Sequence, residues 1–109
     1  MKIANLSDMF KGWFVGNFEP SVLKTKDFEI GIMLHPKGST WDVHYHKEAT
    51  EITLLLSGKM KIQNKIIESG VIFTLEPYEI ADPEFLEDCK VLVIKTPSIP
   101  GDKYIVEKK

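Results

Sequence analysis

Apolar positions along this chain recur in short runs, not at helical spacing. Residues 28–34 (FEIGIML) form the first clear run and stop at His35-Pro36. Runs at 41–46, 51–57, 59–63, 65–68, 71–75, 79–81 and 90–96 follow, with 104–106 as a last short candidate. Most are rich in Ile, Val, Leu and Thr, which suit a pleated, half-buried surface. Turn signals separate them: HPKGS, SGK, QNK, ESG, EPYE and SIPGD. No long stretch carries the 3.6-residue period of an amphipathic helix. Many short strands with frequent turns predict an all-β sandwich or barrel. Closing such a sheet also removes exposed strand edges. Upstream, ANLSDMFKGWFVG predicts at most a helical turn after Ser7, because Gly12 and Gly16 punctuate it.

No internal repeat, low-complexity tract or linker divides the chain. The expectation is one domain over residues 1–109: a peripheral strand or cap at 1–27, a core at about 28–96, and a tail strand at 97–109. With 43% apolar and 28% charged residues, there is enough to bury a core. The net charge of −2, with Lys and Glu interspersed, argues against nucleic acid as a partner. The apolar runs are too short to span a bilayer, and MKIANLSDMF lacks the apolar stretch of a secretory signal. The single Cys89 rules out an internal disulfide and fits a reducing compartment. Together these predict a cytoplasmic protein without a membrane partner. Cys89 precedes KVLVIK, so a packed thiol is expected there, not a nucleophile.

The chemistry concentrates in GSTWDVHYHKEATEITLLLSG, from Gly38 to Gly58. On a strand, side chains two apart point to the same face, with Cα atoms about 6.6 Å apart. His44 and His46 therefore project together, with Tyr45 opposite. Four residues (KEAT) let the chain turn, and Glu51 opens the next strand, where it can come beside the imidazoles. Two neutral imidazoles and a carboxylate make one face of a divalent transition-metal site, with positions left for water or substrate. A cation would also pair polar groups that are costly to bury alone. The plainer reading is a surface strand with both imidazoles in water.

This stretch resembles the first conserved motif of the cupin family: Gly, five residues, His-x-His, three or four residues, Glu, six residues, Gly. Here the fixed positions are Gly38, His44, His46, Glu51 and Gly58. The second cupin motif (Gly, five residues, Pro-x-Gly-x-x-His, then Asn) is only partly kept. Gly70 is present, but six residues (VIFTLE) precede Pro77, Glu79 stands at the second glycine, and Asp82 stands at the last His. The resemblance covers about residues 28–96. It implies a double-stranded β-helix, or jelly-roll barrel, that binds a divalent metal through His44, His46 and Glu51. Asp82 then becomes a replacement ligand, a proton-transfer group bonded to metal-bound water, or merely a turn residue before Pro83. Two carboxylates shift preference toward Fe or Mn, although imidazole also holds Zn, Ni and Cu.

What the resemblance implies about function is a small metalloenzyme acting on a small polar, oxygen-containing substrate, as an isomerase, dioxygenase or decarboxylase. Its alternatives are a non-catalytic small-molecule-binding module and a metal-free protein like the sugar-nucleotide epimerases of the same fold. The epimerases use a His and Tyr pair and are longer. Trp41 and Tyr78 flank the two motifs and are candidates for the pocket mouth, or for core. Lys95 shares a strand face with Val91 and Val93. It is a pocket base or anion anchor if that face is interior, and ordinary surface if not. Trp13, Phe14 and Phe18 make an N-terminal apolar cluster, read either as a homodimer contact or as a cap on the barrel.

Overall fold

In the computed structural model, which describes residues 1–107, ten strands and one 3₁₀ turn (Leu6–Asp8) follow one another. The strands are β1 Trp13–Val15, β2 Glu29–His35, β3 His44–Tyr45, β4 Thr50–Ser57, β5 Lys59–Ile62, β6 Lys65–Glu68, β7 Ile72–Leu75, β8 Glu84–Phe85, β9 Cys89–Thr96 and β10 Tyr104–Ile105. A five-stranded sheet has the order β1-β2-β9-β4-β7, a three-stranded sheet the order β6-β5-β8, and β10 pairs with β3. All strand pairs within these sheets are antiparallel. The two larger sheets share one core that includes Leu55, Met60, Ile62, Leu75, Phe85, Val91 and Val93, with Trp13, Met33 and Phe73 packed against it. The all-β expectation therefore holds. Among the described residues no helix is long and apolar enough to cross a membrane, which bears on helical spans alone.

Two turns explain how the chain changes sheets. Gly58, at φ +100°, is the single residue between β4 and β5. A Cβ there would meet the Asp88 carbonyl oxygen at 2.3 Å, so glycine is required both for conformation and for space. Gln63 and Asn64 have φ of 47° and 62°, the double left-handed pair that closes a two-residue hairpin between β5 and β6.

The strand readings need three corrections. Residues 41–43 are not strand; the turn at Pro36 to Ser39 and the exposed Trp41 leave only His44–Tyr45 paired. Residues 79–81 reduce to one bridge, Ala81 to His44, because the turn from Glu76 to Glu79 uses the preceding backbone. Strand β8 had no clear alternation to announce it. Residues 108 and 109 of the expected tail lie outside the described residues.

The five-stranded sheet is aliphatic on its outward face and mixed on its inward one. Inward, Glu29, Gly31 and Met33 of β2 align with Lys95, Val93 and Val91 of β9, and these with Glu51, Thr53 and Leu55 of β4. Outward, Ile30 and Ile32 align with Ile94 and Leu92, and these with Ile52 and Leu54. Cys89 is buried, and its thiol donates to the Lys59 and Glu87 carbonyls at 3.2 Å. Burial pushes its pKa up, as befits a packed thiol.

Candidate metal centre and cavity

Strand β3 is short, and its register is set from both sides. His44 exchanges two backbone hydrogen bonds with Ala81, at 3.0 and 2.7 Å, while Tyr45 pairs with Tyr104 of β10. The two-residue period does what it must: His44 and His46 are buried, at 5% and 4% exposure, on one side. On the other, Tyr45 stacks against Tyr78 and Tyr104 with centroids 5.9 and 5.5 Å away.

The two imidazoles meet edge to face, with ring centroids 5.2 Å apart. Nδ1 of His44 lies 2.8 Å from the Asp42 carbonyl oxygen. A carbonyl only accepts, so Nδ1 carries the proton and Nε2 is left with a free lone pair. Nε2 of His46 is buried without any partner from the protein. Burial lowers the pKa of His46 to about 4, with the charges of Lys95 and His44 acting the same way. Burial likewise lowers that of His44. Both rings are thus neutral near pH 7.

The loop after His46 is fixed from a distance. The Asp102 carboxylate accepts the backbone N–H groups of Lys47, Glu48 and Ala49 at 2.9, 3.2 and 2.9 Å. Burial pushes this carboxyl up, but the three donors and His46 outweigh it and hold the pKa below the usual Asp value.

Two cavities adjoin the imidazoles. The larger, about 250 Å³, has His44, Glu51, Trp41 and Lys95 on its wall, against an apolar background that includes Phe73, Val91 and Val93. The smaller, about 140 Å³, has His46, Glu29, Asp102 and Lys95. Glu29, Lys95 and Glu51 form one cross-strand row on the inner face. Burial raises the pKa of Glu51 against the lowering effect of Lys95 and Lys103, and it raises that of Glu29 against Lys95 and Ser98.

Of the residues singled out from sequence, His44, Glu51, Trp41 and Lys95 share the larger cavity, and His46 adjoins His44. Asp82 is elsewhere. It is exposed, and its Oδ1 accepts the Gln63 N–H at 2.7 Å across the β5–β6 hairpin. The residue paired with His44 is Ala81. The extra residue between Gly70 and Pro77 accounts for this, since a one-residue shift moves a side chain to the opposite face. The expectation of Asp82 as ligand or proton-transfer group is therefore corrected to a turn residue. Tyr78 is corrected too: it holds φ +72° in the turn after Pro77 and stacks on Tyr45, away from both cavities. Among the described residues no three His, Cys, Asp or Glu side chains are gathered closely enough to hold one ion as they stand.

Sequence reasoning missed Lys103, Glu29 and Asp102, and it read Trp13 as a cap or dimer contact without placing it on a cavity wall, where all four lie. Glu29 and Lys95 carried a usable signal, a charged residue at the end of an apolar strand face. Asp102 and Lys103 follow a turn signal, and nothing local tells where the chain goes next.

No family model matches the chain, and no curated protein matches its sequence. Solved structures do match in shape. An uncharacterized conserved protein with a double-stranded β-helix domain from Klebsiella pneumoniae is 17% identical, covering 98% of this chain and 93% of that one, with a TM-score of 0.71. KdgF from Halomonas sp. is 18% identical, covering 69% and 74%, with a TM-score of 0.64. The DMSP lyase DddQ from Ruegeria pomeroyi is 14% identical with a TM-score of 0.71, covering 87% of this chain and 51% of that one. Cupin and RmlC-like cupin proteins recur among the further matches. Likeness at these identities establishes the fold, that of a small cupin domain.

Proposed function

We propose that this chain, a small cupin in fold, binds a divalent transition metal through His44 and His46 and uses it on a small polar, oxygen-containing substrate in the adjoining 250 Å³ cavity. The carrying observation is the pair of buried, neutral imidazoles whose free nitrogens have no protein partner. The Nδ1–H of His44 is already spent on the Asp42 carbonyl, the arrangement that orients an imidazole for a metal. The Nε2 of His46 is buried and unpaired, which costs about 1–3 kcal/mol unless something occupies it. Glu51, on the wall of the same cavity as His44, would become the third donor once its side chain moves toward the rings, since the three are not gathered as they stand. A divalent cation bound there supplies Lewis-acid polarisation of a substrate oxygen. The protein's part is to hold both rings neutral, to lock the loop after His46 through Asp102, and to offer Phe73, Val91 and Val93 as water-excluding walls. The fold neighbours KdgF and DMSP lyase are consistent with a cupin-type role on small molecules.

The test is elemental analysis of protein purified without added metal. About one equivalent per chain is expected, with none in a His44→Ala/His46→Ala variant that keeps its circular dichroism. No metal in the parent protein, either as purified or after dialysis against a micromolar divalent metal, contradicts the proposal. A second reading, a metal-free binding module, is favoured by the absence of three gathered donors among the described residues. It predicts tight ligand binding without metal or turnover. The reading also includes a homodimer, for which the N-terminal cluster of Trp13, Phe14 and Phe18 is the candidate contact. Light scattering would then return twice the 12.4 kDa chain mass.

A further inference from the structure

We infer that Lys95 and Lys103, each poised over a tryptophan on the wall of the larger cavity, recognise a carboxylate, so that the ligand of this chamber is a small organic acid. The inference rests on the proposed reading of that cavity as the substrate chamber and names the class of substrate. The ammonium of Lys95 lies 5.0 Å from the centroid of the Trp13 ring, and that of Lys103 lies 4.9 Å from that of Trp41. Gly31 makes the first pair possible: a Cβ there would come within 2.8 Å of the Trp13 indole. An aromatic face orients an ammonium and leaves its charge unneutralised.

Neither lysine lies within ion-pair distance of a carboxylate, although both act on Glu51 through space. Among the described residues the ion pairs are Lys24 with Glu19 and Lys59 with Glu68, both at the surface. Lys95 stands in register between Glu29 and Glu51 and still makes no ion pair with either. Both lysines also line the smaller cavity, so the two charges sit between the hollows. Two oriented, unpaired cations facing an apolar chamber are an arrangement that a ligand's anionic group completes. The chamber's 250 Å³ equals the liquid volume of roughly eight waters, room for a small acid. The described residues contain no α-helix, so no helix N-terminus adds the N–H donors that favour phosphate.

The experiment uses the full chain after chelator treatment. Both tryptophans of the chain sit under the two lysines, so intrinsic fluorescence reports directly on the site. L-Lactate, L-malate and D-glycerate are titrated, with methyl L-lactate as the neutral control, and calorimetry checks each isotherm. The expected result is a saturable response to at least one acid and none to the ester. Lys95→Met/Lys103→Met weakens that acid at least tenfold, and raising salt from 20 to 500 mM weakens it in the parent. Lys65→Met, exposed at the start of β6 outside both cavities, leaves it unchanged. If the double variant does not fold, the ester control and the salt series decide. No saturable response to any of the three acids, an ester that binds as well as lactate, inorganic phosphate that competes as well as the acids, or an affinity indifferent to both lysines would overturn the inference. Metal uptake is measured on the same samples. Acid binding without metal uptake defeats the metal reading and leaves this one standing; metal uptake without lysine-dependent acid binding does the reverse.

Discussion

The outward face of the five-stranded sheet carries Ile30–Ile94–Ile52 in one row and Ile32–Leu92–Leu54–Ile72 in the next. The inward face carries Glu29–Lys95–Glu51, then Gly31–Val93–Thr53, then Met33–Val91–Leu55. The more aliphatic face is outside. The inner face is mixed because it serves two ends of one barrel. Toward β5, β6 and β8 it packs tightly, as Leu55 at 0% exposure shows. Toward β3 it opens into the cavities and their charged residues. Burial and apolar character are therefore separate properties on this sheet, and substitutions can tell them apart.

The largest difference is expected between two leucines. Leu55→Ala should cost about 2–5 kcal/mol in urea unfolding, because it leaves a void in closed core. Leu34→Ala, on the outward face at 73% exposure, should change stability by at most about 0.5 kcal/mol. Equal losses at both positions would mean that the outward face is covered in solution.

Acidification comes next. In chelator-treated protein, His46 has its pKa at about 4 in the folded state against an ordinary value of 6.5. The unfolded chain therefore takes up this proton first. Stability present above pH 6.5 is lost as pH falls toward 4, then levels off, with His46 alone contributing up to about 3 kcal/mol. Glu29 and Glu51, raised by burial, act in the opposite sense: the stability they contribute at low pH is lost as pH rises through their folded values. His46→Gln should flatten the fall between pH 6.5 and 4, and an unchanged slope would show that His46 is not buried neutral.

A smaller loss is expected at the lock behind the site. Asp102→Ala removes the acceptor of three backbone N–H groups, one on the buried Ala49, and should cost about 2–3 kcal/mol. Asp102→Asn should cost less. Because the Asp102 pKa is depressed on folding, its contribution is present above the ordinary Asp value and lost as pH falls through the folded one. Parent and Asn variant should converge in strong acid.

How far the sequence led is seen best at particular residues. Strand alternation placed His44 and His46 together and Tyr45 opposite, because β3 is buried on the imidazole side and has a definite inner face. The same rule could not orient Lys95, since both faces of β9 read as apolar and period-two alternation then carries no sign. Asp82 was misplaced by motif spacing: one added residue before Pro77 turned it outward and put Ala81 beside His44. Asp102 and Lys103 reach the site through β10 pairing with β3, a contact about sixty residues away in sequence that no local pattern encodes.

The metal reading stands on the free nitrogens of His44 and His46 as donors. Long-range ¹H–¹⁵N NMR follows the three imidazoles while chelator-treated protein is titrated with zinc. Nε2 of His44 and of His46 should shift together and saturate at one equivalent. Nδ1 of His44 should keep its proton on the Asp42 carbonyl, and His35, on the wall of the same cavity but stacked on Phe85, should not shift as a donor does. Shifts confined to His35, or no shift at either Nε2, would contradict it.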